Sequence, residues 1–405
     1  MTPDPVMIHG MEWTVKELFV YPNESINWGI MIVMYPYMTG LVAGAFVLSA
    51  LYHVAGKTEL KKIAKFALLF SMALLLVAPM PLLLHLQQPL RCEEVFFTPH
   101  FTSAIAAFGM IFFIYFIIVA SEIWFIHRKF FVAQSMARQG AQGVFGRVAW
   151  LFYTVLTLGA FNVDEKSLHD DEKAVVFLAG LGIPVACFLH GYAGFIFGSV
   201  KANALWMTPL MPVIFIVSAI VSGIALCILT YSIISLWRSF RAGTKTTLEI
   251  EEVSKAAKYL LTFLILAITL ELLDMVFRGY TAMKSWAILR SVIFEKDIIN
   301  IFVLQYVVGN LVPLILLLIP RPTIRRILIA VAMILFGVFM MRWNVVIGGQ
   351  AFSLSFAGFM HYHLPIIPHN LETYKEGLFG ALTIASLPFI FFWIFNKIIP
   401  VLDKD

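Results

Sequence analysis

Nine stretches of this sequence are apolar runs long enough to cross a lipid bilayer. They lie at about residues 28–54, 63–86, 101–126, 174–197, 206–237, 257–280, 298–319, 324–341 and 379–399. A helix needs about 20 apolar residues to span some 30 Å of hydrocarbon. No water-soluble core hides so many helices of that kind. Only 13% of the 405 residues are charged, against about 25% in an ordinary soluble domain. The expected fold is therefore all-α, an integral membrane protein of about nine transmembrane helices. The net charge of +5 then reports helix orientation, not a nucleic-acid partner.

A tenth run, Val148–Phe161, is bracketed by Arg147 and Asn162 and is short for a span. Charge decides its status. If it lies along the surface and the N-terminus is outside, 20 of the 29 Lys and Arg residues fall on the inner side. If it crosses, the two sides hold almost equal numbers, against the positive-inside rule. The sequence thus predicts an outer N-terminus, an inner C-terminus and an inner-surface helix at 148–161, where Trp150 and Tyr153 suit the headgroup level. The organisation that follows is an outer segment 1–27, a four-helix bundle 28–197, a second four-helix bundle 198–342, an outer segment 343–378 and a last span with an inner tail, 379–405. Residues 1–27 have an acidic balance and no short apolar core, so no signal peptide is expected ahead of Trp28. A short echo accompanies the two bundles. Thr39–Gly44 in the first run resembles Ser218–Gly223 in the fifth, both small-residue stretches read in the same direction. Close helix packing is their first meaning, and a parallel repeat their second.

Charged and imidazole groups within spans are costly and mark function. On this topology Asn27, Trp28 and Tyr35 lie in the outer part of span one. His85, Gln88 and Arg91 end span two, His100 opens span three, and His190 and Tyr192 lie in the outer half of span four. Histidines from three helices meet at one depth, although any one alone would read as a hydrated helix end. A quinone suits such a place. Its ring and tail are apolar, and its two oxygens need hydrogen-bond donors and exchange protons as electrons move. His85 and His190 are the candidate proton-exchanging residues, and Asn27, Trp28, Tyr35, Gln88, Arg91, His100 and Tyr192 the candidate quinone-binding ones. Glu271, Asp274 and Arg278 share one face of span six, and with Glu122 of span three they form a candidate proton path; an ion-paired structural network is the alternative. The three cysteines Cys92, Cys187 and Cys227 have no ligand spacing, so an iron–sulfur cluster is expected on a partner and not here. Haem is not expected either, although His85 and His190 could pair. His361 and His363 form an H-x-H pair, weak for a metal.

The chain resembles the NrfD family, which includes the polysulfide reductase membrane subunit. The resemblance rests on Trp28 with Gly40–Gly44, the segment His85–Arg91 with Pro99 and Ser103, His190–Phe195 and Trp206–Pro212; Arg342–Gln350 resembles the longer members with extra helices. It implies two four-helix bundles and a quinone site (menaquinone or ubiquinone as substrate) at the outer end of the first bundle. It also implies a ferredoxin-like iron–sulfur subunit docked there, with a multihaem cytochrome or a molybdopterin or hydrogenase catalytic subunit as further partners, in a prokaryotic inner membrane. One departure matters: many relatives have an aspartate where His85 stands and a glycine at Gln87, so a carboxylate role does not carry over to that position. The expected function is quinone oxidoreduction within a respiratory complex. The rivals are a proton or ion transporter without redox chemistry, centred on span six and Asn310, and a structural membrane anchor.

Overall fold

The computed structural model describes residues 26–86, 88–100, 102–103, 106–200, 203, 205–241, 243, 250–280, 286–352 and 359–402. It also describes the backbone of a short ribbon in which Val6–Ile8 pairs antiparallel with Met11–Trp13. Most of the predicted outer segment 1–27, and Gln87, lie outside the described residues.

Among the described residues, nine helices are long and apolar enough to cross a membrane. In chain order they are Ile30–His53, Thr58–His85, Ala106–Ala137, Glu165–Gly198, Met211–Arg241, Glu251–Tyr280, Ile299–Leu318, Ile324–Gly348 and Leu378–Ile398, called spans 1 to 9 below. Each coincides with one of the nine predicted runs. The chain is a multi-pass membrane protein. Span 8 runs further than its sequence pattern suggested, because helix Ile324–Trp343 continues without a break into a π-helical turn, Asn344–Gly348. That extension carries Arg342 inside the span. Span 7 is π-helical over Ile299–Leu311, an i→i+5 winding that is rare at such length and often sits at functional sites. Span 2 is broken at Ala78-Pro79, where the proline lacks the N–H that would continue the ladder. Its last turn, Met80–His85, leaves in a new direction.

The ambiguous tenth run forms a helix of 13 residues, Val144–Leu156. It starts four residues earlier than the pattern predicted, directly after Gly143 (φ +85°), and ends before Leu158 (φ +50°) and Gly159 (φ +79°). Left-handed residues at that place close a helix. Its Tyr153 is buried and donates to the Ile398 carbonyl of span 9 at 3.2 Å, while Val144, Phe145, Val148 and Val155 are exposed. The segment does not cross between spans 3 and 4. Arg128, near the end of span 3, donates to Asp171 of span 4 at 2.8 Å, to the Asn162 carbonyl at 2.6 Å and to Ser167 Oγ at 2.6 Å. That buried knot holds both helix ends at one face of the molecule.

Span 1 is the centre of the packing. Of its apolar window 94% is buried, against 17% for span 6, as befits a helix that is apolar all round. Spans 2, 4, 5 and 8 pack around it; span 3 packs on span 4, span 7 on span 8, and span 9 on span 2. Lipid tails are as apolar as leucine, so close van der Waals fit must hold such helices together. The two small-residue stretches of the sequence supply that fit against each other. A Cβ on Gly44 would stand only 2.7 Å from Gly223 Cα, so spans 1 and 5 touch backbone to backbone. Gly309 of span 7 and Gly337 of span 8 meet in the same way.

Candidate functional site

A cleft of about 910 Å³ opens where span 1 begins and span 2 ends, within the ~300–1,000 Å³ usual for small-molecule sites. Five of the sequence-predicted residues line it: Asn27, Trp28, His85, Gln88 and Arg91. The opposite wall comes from residues that sequence reasoning did not select, Tyr362, His363, Glu372 and Glu376, in the segment ahead of span 9. The signal in that segment was the H-x-H pair, which drew attention to metal chemistry instead. No group of three or more potential metal ligands occurs among the described residues.

The end of span 2 turns His85 toward this second wall. His85 Nδ1 stands 3.1 Å from both carboxylate oxygens of Glu376. A carboxylate therefore does stand beside His85, supplied from almost 300 residues away. Glu376 is held by local structure. It follows a single turn of helix, Leu371–Lys375, capped reciprocally by Asn370 and Thr373, and the next N–H but one, Leu378, donates to the Pro365 carbonyl at 2.9 Å. Gly377 makes this possible, since a Cβ there would stand 2.6 Å from Pro365 O. On the first wall, Arg91 makes a two-pronged pair with Glu94, at 2.8 and 3.0 Å, and donates to Gln88 Oε1 at 3.1 Å. Those bonds hold the Glu94 carboxyl below its usual range and raise Arg91.

Trp28 forms the floor, with its ring stacked on Trp206 at 5.3 Å. Its backbone is clamped from both sides by Gln350, which accepts from the Trp28 N–H at 3.1 Å and donates to its carbonyl at 3.0 Å. Tyr362 is tied to the same helix start: its hydroxyl accepts from the first N–H of span 1, Ile30, at 3.0 Å, and burial raises its phenol above the usual value.

The remaining predicted quinone-site residues are elsewhere. Tyr35 is buried against Phe108, Tyr192 packs among Phe188 and Phe195, and exposed His100 bonds Thr102. His190 is fully buried and does not line the cleft. Its Nδ1 faces Thr39 Oγ1 at 3.4 Å, and its Nε2 accepts from Arg342 at 3.0 Å. Gly40 gives the ring its space, since a Cβ there would stand 3.2 Å from it. Arg342 also donates to Ser218 Oγ at 2.8 Å and lies over the Phe215 ring at 3.8 Å. It is wholly buried, makes no ion pair among the described residues, and its Nε has no partner. Sequence reading used Arg342 only as part of a motif, because the pattern ended span 8 one residue before it.

The predicted proton-path residues fall into two places. Glu122 of span 3 is fully buried, with neither carboxyl oxygen hydrogen-bonded. Glu271, Asp274 and Arg278 line an internal cavity of about 110 Å³ between spans 6, 7 and 8, room for only a few waters. There Gln305 and Asn310 donate to Glu271 at 3.0 and 3.3 Å, Asn344 donates to Gln305 at 2.8 Å, and Asp274 pairs with Arg278 at 2.8 Å while accepting from Thr208 at 2.5 Å. The two π-helical stretches carry Gln305, Asn310 and Asn344.

Comparison with known proteins decides the family. The polysulphide reductase NrfD family matches residues 20–354. The chain belongs to the NrfD family. Among curated NrfD-like relatives, a selenate reductase subunit of Mesobacillus selenatarsenatis is 33% identical over 209 residues, 51% of this chain and 48% of that protein. A Halobacterium salinarum protein, named as a dimethyl sulfoxide reductase membrane subunit, is 24% identical over 307 residues, 75% of this chain and 64% of its own. The Hdr-like menaquinol oxidoreductase integral membrane subunit of Archaeoglobus fulgidus is 25% identical over 204 residues, covering 50% and 41%. The matches span about half the length of these relatives. Bacterial and archaeal relatives and nine apolar helices assign this NrfD protein to a prokaryotic plasma membrane. The family match ends at 354, so the second wall of the cleft lies beyond it.

Proposed function

We propose that this chain is the quinone-exchanging membrane subunit of a respiratory oxidoreductase complex. In this reading quinol or quinone enters the cleft between the end of span 2 and the segment ahead of span 9. His85 exchanges a proton with a quinone oxygen there, Gln88 and Arg91 contribute polar contacts, and Trp28 provides an apolar face for the ring. Electrons pass to or from a ferredoxin-like iron–sulfur subunit docked at that face, which we place outside the membrane on the basis of the lysine and arginine distribution. A multihaem, molybdopterin or hydrogenase subunit would lie beyond it. The observation that carries the reading is the cleft itself: a titratable histidine, an amide and a guanidinium beside an exposed tryptophan, at a helix end open to the surroundings. The relatives' names, membrane subunits of reductases and of a menaquinol oxidoreductase, support the same class. Menaquinone or ubiquinone is the substrate, and the chain supplies no haem or iron–sulfur ligands of its own.

His85→Ala and His85→Gln test it. The complex should assemble, its partner subunits should keep activity with artificial electron carriers, and quinone-coupled turnover should fall at least tenfold, since acid–base groups typically contribute about 10²–10⁴. Wild-type quinone turnover in both assembled variants would overturn the site. The cavity around Glu271 supports a second role, proton transfer through spans 6 to 8 that accompanies the redox reaction. Glu271→Gln should then leave quinone turnover largely intact and abolish any proton translocation measured in sealed vesicles.

A further inference from the structure

His85 has a partner that the proposed reaction has not yet used. Glu376 faces it with both oxygens at 3.1 Å from Nδ1. The side chains are 26% and 30% exposed, so the pair is half-sheltered yet reaches the cleft. Nothing else among the described residues forms an ion pair with Glu376 or hydrogen-bonds its carboxylate. The capped turn Leu371–Lys375 and the Leu378 to Pro365 hydrogen bond fix the backbone that carries it. This is an arranged contact between two ends of the chain, not a neighbouring pair on one helix.

We propose that Glu376 is the positioning residue for His85 in quinone chemistry, fixing the ring so that Nδ1 carries the proton and Nε2 faces the substrate as the exchanging atom. The proposal rests on the reading of the cleft as the quinone site. The physical reason is the tautomer. A carboxylate can only accept, so the ring nitrogen facing it must hold a proton. In the neutral ring the other nitrogen then carries the lone pair. His85 Nε2 makes no hydrogen bond among the described residues and is available to substrate.

In quinol oxidation Nε2 takes the proton of one quinol hydroxyl as that O–H bond breaks. The second hydroxyl gives its proton to the water of the open cleft, and the two electrons leave one at a time to the iron–sulfur carrier of the partner subunit. Glu376 stays ionised and stabilises the imidazolium that forms. The imidazolium then returns its proton to the water, restoring the starting state. Quinone reduction runs the same steps backward.

The test uses the whole complex in its membrane, with a short-chain quinol as the probe. In Glu376→Gln the side chain keeps its size but the amide no longer demands a proton on Nδ1. The quinol kcat should fall about tenfold or more, with KM changed less than about twofold. Glu376→Asp should restore a substantial part of that loss, because it returns a carboxylate to the same turn. Combined with His85→Ala, Glu376→Gln should cost nothing further, since residues that act as one unit are not additive. A segment that merely folded badly would raise KM, would not be rescued by aspartate, and would add to the His85 loss. Either that pattern or wild-type turnover in Glu376→Gln overturns the positioning role. If His85→Ala itself keeps full quinone turnover, the reading of the cleft fails first, and the two failures are thereby told apart.

Discussion

Arg342 is the residue whose environment is hardest to reconcile with a merely structural part. A guanidinium deep in a membrane protein is expensive unless its donors are used. Here they are divided between His190, Ser218 and the face of Phe215, with no carboxylate in hydrogen-bond range. It ties spans 4, 5 and 8 together at the point where His190 meets span 1 through Thr39. Arg342→Met should leave these acceptors without their donor, at about 1–3 kcal/mol for each group stranded. Arg342→Lys should be nearly as damaging, because an ammonium cannot lie flat on a ring while donating in two directions. Thermal unfolding of the purified chain in detergent measures both, and a wild-type midpoint for the lysine variant would mean that charge alone matters. His190 shows the limit of depth as a guide: its sequence position matched that of His85 closely, yet its two ring nitrogens are both turned inward.

At the scale of the helices, the glycine contacts carry the architecture. Gly44→Leu should overfill the crossing of spans 1 and 5, where overpacking costs about 1–3 kcal/mol or more, and should lower the yield of folded chain. The same substitution at Gly56, which has open space around it, controls for loss of glycine, although its left-handed φ makes even that site mildly strained. Size-exclusion recovery after mild heating separates the two. The nine helices were legible in the sequence because apolar run length maps directly onto bilayer thickness. The Thr39–Gly44 and Ser218–Gly223 stretches were legible as packing surfaces. That they pack on each other was not, because a one-dimensional pattern names a smooth face without naming what rests on it. The π-helical windings of spans 7 and 8 were likewise invisible, since they alter hydrogen-bond register and not hydropathy.

Across the whole molecule, the charge count and the Arg128–Asp171 knot bear on one question from different sides. The knot holds the facing ends of spans 3 and 4 together, and the charge count assigns that end to the inside. Cysteines introduced at Arg138 and at Asp170, in a background with exposed Cys92 replaced by serine, should both be labelled by an impermeant thiol reagent only in inverted vesicles. Labelling of the two from opposite sides would require a crossing at 144–156. The cleft divides along the chain in a similar way. Asn27, Trp28, His85, Gln88 and Arg91 were readable because each is a polar or aromatic interruption at the end of an apolar run. Glu376 was not, because a glutamate in a polar segment carries no such contrast.

That division has a consequence for how such a site can change. One wall stands on helices inside the family match, and the other, with the carboxylate for His85, belongs to a segment after residue 354. The reactive pair is therefore modular, its histidine carried by the membrane scaffold and its carboxylate by an appended piece. Grafting 355–378 from another protein would retune the histidine without disturbing a single helix crossing, and losing that piece would leave a cleft open on one side above an intact bundle.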